Sequence, residues 1–301
     1  MTTPLIQVYT AAGVELRTQA LQRARKRLLA LGFGVELDAS LKLRQQRFAG
    51  GDEERLVTLH RIADAAPSIA MACRGGYGMS RLLDAIEWKR IARSVKRGTR
   101  WIGFSDMTAL QLGLLAHTGA GSWAGPMACD DFGRADDEGG VDEITRDCFV
   151  EAMSGALQAV GFRTEAGFDG LHAKGVLWGG NLAMVCSMLG TRHFPKVKGG
   201  ILFLEEVNEH PYRVERCLLQ LHQAGVLRAQ KAVLLGAVTD YRVSPLDRGY
   251  TLRTAIAHLR SVSRTPLLTG LPFGHVPTKV TFPLGQRVEL AVQGRDVLFG
   301  W

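Results

Sequence analysis

The chain has 301 residues, a net charge of +8 and ordinary shares of apolar and charged residues. That balance excludes a disordered chain and leaves room for two domains. No apolar run approaches the roughly 20 residues of a membrane span. The N-terminal Met-Thr-Thr-Pro-Leu-Ile-Gln-Val lacks a basic region followed by an apolar core, so a cytoplasmic location without a membrane partner is expected.

The first half alternates short apolar strands with amphipathic helices. Leu5–Tyr9 reads as a strand, Glu15–Leu31 as a helix ended by Gly32, and Phe33–Leu37 as a second strand. Glu53–Ala65 is helical, with Leu56, Leu59 and Ile62 at helix spacing. Ser68–Cys73 is the third strand, Ser80–Ala92 a further helix, Arg100–Phe104 the fourth strand and Thr108–Leu115 a helix. This alternation predicts an α/β fold whose parallel, flavodoxin-like sheet gathers its site at strand C-terminal ends. Asp130–Asp142 is acidic and poorly patterned, and reads as a loop before a helix at Glu143–Ala156. Val160–Gly170 has the character of a linker or an entering strand. Beyond it, strands at Gly200–Leu204, Ala232–Val238 and Arg287–Val292 mix with helices at Leu182–Leu189 and Tyr212–Ala224. The division is an N-terminal domain over 1–155, a linker over 156–170 and a smaller α/β domain with mixed strands over 171–301.

Ser105 stands where the fourth strand breaks into a helix. There its hydroxyl is exposed and the adjacent N–H groups favour negative charge. This is the geometry of a nucleophile elbow, although Gly-Phe-Ser-Asp-Met departs from Gly-x-Ser-x-Gly; the simpler reading is a helix N-cap. Arg74-Gly75-Gly76-Tyr77-Gly78 follows the third strand as a glycine loop able to present N–H groups to an oxyanion or a phosphate. Trp178-Gly-Gly-Asn181 reads as a glycine turn before a helix, with Asn181 capping it or orienting a ligand. Glu205 and Glu206 end an apolar strand, well placed to accept a histidine N–H or to pair with Arg213 and Arg216. His275, bracketed by Gly274 and Pro277, is the best-placed base, whereas His60, His222 and His258 read as ordinary helix residues.

Other features have plain readings. The basic stretch Lys89, Arg90, Arg93, Lys96, Arg97 and Arg100 reads as a solvated helix face and following loop. It lacks stacking aromatics beyond Trp88, and no nucleic-acid partner is expected. Cys73, Cys129, Cys148, Cys186 and Cys217 are odd in number and dispersed without a CxxC, which argues for reduced thiols. Cys73 reads as a small buried strand residue rather than a nucleophile. Without an HxxH, HxH or HExxH pair, no metal or other cofactor is expected.

Five segments taken in order resemble the LD-carboxypeptidase family of serine peptidases, and within it the muramoyltetrapeptide carboxypeptidases. They are Arg-Gly-Gly-Tyr-Gly at 74–78, Gly-Phe-Ser-Asp at 103–106, Gly-Gly-Asn-Leu at 179–182, Leu-Glu-Glu-Val-Asn-Glu-His-Pro-Tyr-Arg-Val-Glu-Arg at 204–216 and Gly-His-Val-Pro-Thr-Lys at 274–279. The resemblance implies a Ser-Glu-His triad: Ser105 as nucleophile, Glu205 as orienting carboxylate with Glu206 as the alternative, and His275 as base. It implies an oxyanion hole from the backbone N–H groups of Gly76 and Asp106, a murein tetrapeptide losing its terminal D-alanine, and a homodimer. Arg74 and Asn181 are carried as substrate contacts, Arg74 with a structural role as its alternative. Thr10-Ala11-Ala12-Gly13 departs from the Pro-Ser type turn of relatives, which loosens expectations about ligand contacts there. Two rival readings are a peptidase of the same family acting on microcin C-like peptidyl nucleotides and a non-catalytic nucleotide- or nucleic-acid-binding α/β protein.

Overall fold

A computed structural model describes residues 3–301. Met1 and Thr2, which open the N-terminal stretch read above, lie outside the described residues. The chain forms two compact units. One comprises the chain up to Leu157 with Arg192–Pro195 and Pro277–Pro283; the other comprises Gln158–Thr191, Lys196–Val276 and Leu284–Trp301. No helix among the described residues is long and apolar enough to cross a membrane.

The first unit is built on strands β1 (Leu5–Tyr9), β2 (Gly34–Leu37), β3 (Ile69–Ala72), β4 (Arg100–Gly103) and β5 (Ser122–Ala124), with the late strand β11 (Phe282–Leu284) at one edge. The order is β11-β5-β4-β3-β1-β2, and the pairs from β2 through β5 are parallel. This is the doubly wound order in which sites form at strand C-terminal ends. Helices α1 (Thr18–Ala30), α2 (Asp52–Ala65), α3 (Trp88–Lys96), α4 (Met107–Thr118) and α5 (Glu143–Ser154) connect and cover it. The sequence encodes this directly. All four residues of β3 are buried, as a strand covered on both faces requires. In α1, Ala20, Ala24 and Leu28 recur every fourth residue and pack on Ile6, Val8, Met71 and Phe132.

Two expectations are corrected in this unit. The helix read over Ser80–Ala92 is instead a 3-10 turn at Met79–Arg81 followed by α3 at Trp88–Lys96. The Glu87 N–H donates to His60 Nε2 at 3.0 Å, so it is already engaged where a continuous helix would need it. The acidic loop is partly structured, with a π turn at Ala128–Phe132 and a 3-10 turn at Asp136–Glu138. The reason is Asp131, a wholly buried carboxylate that takes the Met127 N–H at 2.8 Å and an ion pair from Lys279. The basic stretch lies on an exposed helix face and loop as read, with Lys89, Arg93, Lys96 and Arg97 exposed; within it Arg90 pairs with Asp64 and Glu87, Arg97 donates to the Ala63 carbonyl and Arg100 to that of Met153.

The second unit carries β6 (Ala159–Arg163), β7 (His172–Asn181), β8 (Ile201–Val207), β9 (Ala232–Thr239), β10 (Leu267–Thr269), β12 (Arg287–Gln293) and β13 (Asp296–Gly300), with helices α6 (Leu182–Met188), α7 (Pro211–Gln223) and α8 (Leu252–Val262). Its sheet runs β10-β9-β8-β7-β12-β13-β6. The pairs from β10 to β7 are parallel and those from β7 to β6 antiparallel, so the sheet is mixed. Two expectations shift here. Of the two readings for 160–170, the entering strand is the one formed, as β6. Trp178–Asn181 is the buried end of β7 rather than a turn; Gly179 N–H and C=O belong to a ladder in which it pairs with Phe203.

Candidate active site

Ser105 sits between β4 and α4 with φ of 63°, a left-handed conformation uncommon for a residue with a side chain. Holding a non-glycine residue there costs on the order of 1–3 kcal/mol, which surrounding structure must offset. The offset is visible in the following turn, where Met107, Thr108 and Ala109 N–H groups reach the carbonyls of Phe104, Ser105 and Asp106 at 3.2, 2.9 and 3.1 Å. Ser105 is therefore not the N-cap; Asp106 occupies that position and makes no side-chain cap bond. The strained corner is the strand-to-helix geometry that presents a serine hydroxyl.

The glycine loop after β3 closes over this corner. A Cβ on Gly75 would lie 2.7 Å from Ser105 Cβ and 2.8 Å from its Oγ, so only glycine permits the approach. The loop is held in turn by the segment after β1, where Gly13 N–H donates to the Gly75 carbonyl at 3.0 Å. Gly76 follows with φ of 99°. Its N–H and that of Asp106 donate to no group among the described residues. The Asp106 carboxylate accepts from Met79 N–H at 2.8 Å, its other oxygen is buried without a hydrogen-bond partner among the described residues, and burial pushes its pKa up to about 6.

In the second unit, Glu205 and Glu206 end β8, and an irregularity in the β8–β9 register falls between Leu204 and Glu206. Bulges of this kind re-aim side chains near sites. Glu205 Oε2 lies 2.8 Å from His275 Nδ1; the carboxylate is fully buried, and its Oε1 has no hydrogen-bond partner among the described residues. His275 itself is half-buried. It is delivered by Gly274, whose φ of 134° excludes most side chains and whose missing Cβ would lie 3.2 Å from Glu205 Cβ. A carboxylate accepting from Nδ1–H fixes the tautomer in which Nε2 carries the basic lone pair.

Glu206 is committed elsewhere. It accepts from Asn181 Nδ2 at 3.0 Å, Val207 N–H at 2.9 Å and Ala183 N–H at 2.8 Å, and burial raises its pKa. Asn181 uses its Oδ1 to cap α6 at Met184 N–H, so both ends of its amide are engaged within the protein. The capping reading is the one these contacts support directly. Arg74 likewise donates to the Val14 carbonyl at 2.8 Å, which ties the glycine loop to the segment after β1.

Two supports were not read from the sequence. Arg55 is wholly buried, and its Nη1 donates to the carbonyls of Ala11 and Gly78 at 3.0 and 2.9 Å, clamping both loops that frame Ser105. A signal existed: Arg55 shares the apolar α2 face with Leu59 and Ile62, where a charge signals a buried partner. Lys279 and Asp131 form the other support, a buried pair beside the Phe104 ring. A sequence separation of 148 residues hides it from local patterning.

Family models of the LD-carboxypeptidase N-terminal and C-terminal domains match residues 6–125 and 174–290. The chain is 30% identical to the murein tetrapeptide carboxypeptidase of Pseudomonas aeruginosa, over 91% of this chain and 89% of that protein. It superposes with a TM-score of 0.89 on the crystal structure of muramoyltetrapeptide carboxypeptidase from Oxalobacter formigenes, 37% identical and covering 98% of this chain and 97% of that one. The microcin C7 self-immunity protein is similar in fold, with a TM-score of 0.86 at 19% identity, covering 100% of this chain and 97% of that one. The sequence motifs, the two-domain α/β architecture and these matches agree: the chain belongs to the LD-carboxypeptidase family and is a serine-type carboxypeptidase.

Proposed function

We propose that this chain removes the terminal D-alanine from murein tetrapeptide through an acyl-enzyme, with Ser105, Glu205 and His275 as its triad. The observation that carries the site is Ser105 at φ 63°, held at the N-terminal end of α4 with Gly75 against its side chain. In this reading His275 Nε2 takes the Ser105 proton as Oγ attacks the carbonyl carbon. Glu205 keeps the imidazole in the required tautomer and stabilises the imidazolium. The 2.8 Å contact favours Glu205 over Glu206 in that role.

As the carbonyl becomes tetrahedral, its oxygen gathers charge beside the Gly76 and Asp106 N–H groups. Each such donor contributes typically about 3 kcal/mol to the transition state. His275 then returns the proton to the departing D-alanine nitrogen. Water, deprotonated by the same imidazole, hydrolyses the ester and frees Ser105. The two N–H groups suit this role because no other group among the described residues occupies them. The scissile bond joins the L-configured centre of meso-diaminopimelate to D-alanine. The reading includes a homodimer acting in the cytoplasm on peptides released from the wall, its oligomeric state accessible by light scattering.

The test is incubation of purified protein with the tetrapeptide and with its LL and DD isomers, read by mass spectrometry. D-Alanine release from the LD substrate alone, abolished by Ser105→Ala with an unchanged circular dichroism spectrum, is expected. Undiminished turnover by Ser105→Ala would sink the triad, and turnover only of an aminoacyl sulfamoyl adenylate would move the substrate class to the microcin-type peptidases.

A further inference from the structure

Cys73 and Cys129, 56 residues apart, were read from the sequence as dispersed thiols, yet their Sγ atoms lie 3.1 Å apart in the first unit. Both are free and fully buried. Their backbones are also adjacent, since Cys129 N–H donates to the Cys73 carbonyl at 2.9 Å. The two sulfurs need to approach by only about 1 Å to reach the disulfide length of about 2.05 Å. Cys73 directly follows β3 and precedes Arg74–Gly78, and Cys129 stands in the π turn that carries Asp131.

We propose that Cys73 and Cys129 form a modification site, a disulfide made by peroxide and broken by thiols, that lowers activity by shifting the glycine loop against Ser105. The effect on activity rests on the role given to that loop under Proposed function; the cross-link itself does not. In the first step a thiolate at one cysteine attacks a peroxide oxygen, the O–O bond breaks and a sulfenic acid forms, with hydroxide leaving as water. In the second step the partner thiol attacks the sulfenic sulfur, the S–O bond breaks and a second water leaves. The sum is two thiols and one hydrogen peroxide giving one disulfide and two waters, the protein losing two electrons and the peroxide gaining them.

A cavity of about 510 Å³ lined by residues including Leu16, Thr18, Arg23, Cys129 and Arg134 borders Cys129, itself buried, and is the side from which a small oxidant would approach. The neighbouring Cys129 thiol and burial hold the Cys73 thiol well above its ordinary range, so a small neutral oxidant and sustained exposure are required. Glu15 approaches the same two sulfurs within 4.8 Å, which suggests a cation site at first sight. Its carboxylate, however, already accepts from Arg17 N–H, Nε and Nη2 at 2.7, 3.0 and 2.8 Å. A guanidinium at that position opposes a metal ion and favours the covalent reading.

The test treats the reduced full-length chain with hydrogen peroxide and maps tryptic peptides. A cross-link between residues 62–74 and 101–134, which hold Cys73 and Cys129 as their only cysteines, is expected. With it, kcat/KM for D-alanine release should fall at least about tenfold, the scale expected when a catalytic group is displaced by a fraction of an ångström to 1 Å. Dithiothreitol should restore it, and Cys129→Ala should keep its activity through the same treatment. Absence of this cross-link in oxidised protein overturns the site, and a cross-linked form with undiminished kcat/KM overturns its effect, as does equal inactivation of Cys129→Ala. If the reduced chain releases no D-alanine at all, the proposed function fails, while the peptide map still decides the disulfide.

Discussion

Gly75→Ala places one methyl group where the structure leaves none to spare. The added Cβ would meet Ser105 Cβ at 2.7 Å, Ser105 Oγ at 2.8 Å and Asp106 N at 3.3 Å. Ordinary packing needs 3.4 Å or more, so the loop or the serine must retreat by roughly 0.7 Å. Gly75 does not need a left-handed backbone, which makes the perturbation steric rather than conformational. A displacement approaching 1 Å at reacting atoms costs about 10²-fold in rate, or roughly 2.7 kcal/mol of transition-state stabilisation. Overpacking should also destabilise the fold by about 1–3 kcal/mol, a fall in Tm of several degrees. Steady-state release of D-alanine and a thermal melt separate the two effects. Gly161→Ala is the control, because a Cβ there meets nothing closer than 3.7 Å and should leave activity intact. Wild-type kcat/KM in folded Gly75→Ala would refute the placement of the chemistry at this corner.

Glu205→Gln and Glu206→Gln distinguish the paired carboxylates. The first should lower kcat roughly 10⁴-fold by removing the charge that orients and stabilises the imidazolium. The second should leave kcat within a few-fold and lower Tm, since its oxygens hold Val207, Ala183 and Asn181; the reverse pattern would exchange their roles. Asp106 gives a pH signature. Its folded pKa, about 6, lies above the ordinary carboxylate value because burial disfavours the charge. The folded state therefore binds more protons between about pH 4 and 6, and stability falls as pH rises through that window. Asp106→Asn should match the parent at pH 4 and exceed it at pH 8 by up to about 3 kcal/mol; urea unfolding at both pH values measures this, and equal stabilities at pH 8 would contradict it.

Much of the site was legible because its residues are local to strand ends. Ser105, the glycine loop, the Glu205–Glu206 pair and His275 each sit in a short motif whose turn residues and apolar runs mark the end of a strand. The α3 boundary was not legible, since it depends on His60 taking the Glu87 N–H across 27 residues. Asn181 reads most simply as a cap, and the structure shows that cap together with a bond to Glu206 that no local pattern announces.

From the sequence alone followed the alternating α/β architecture and the family, since these depend on periodicity and on short contiguous motifs. Tertiary structure alone decided that Glu205 rather than Glu206 meets His275, because strand neighbours point apart and a register irregularity aims them. It also decided that Gly75 rather than Gly76 packs on Ser105, that Arg55 and Lys279 are buried supports, and that Cys73 and Cys129 are neighbours. Each of these is a contact between residues far apart in the chain, and such contacts are set by packing in three dimensions, which no local pattern records.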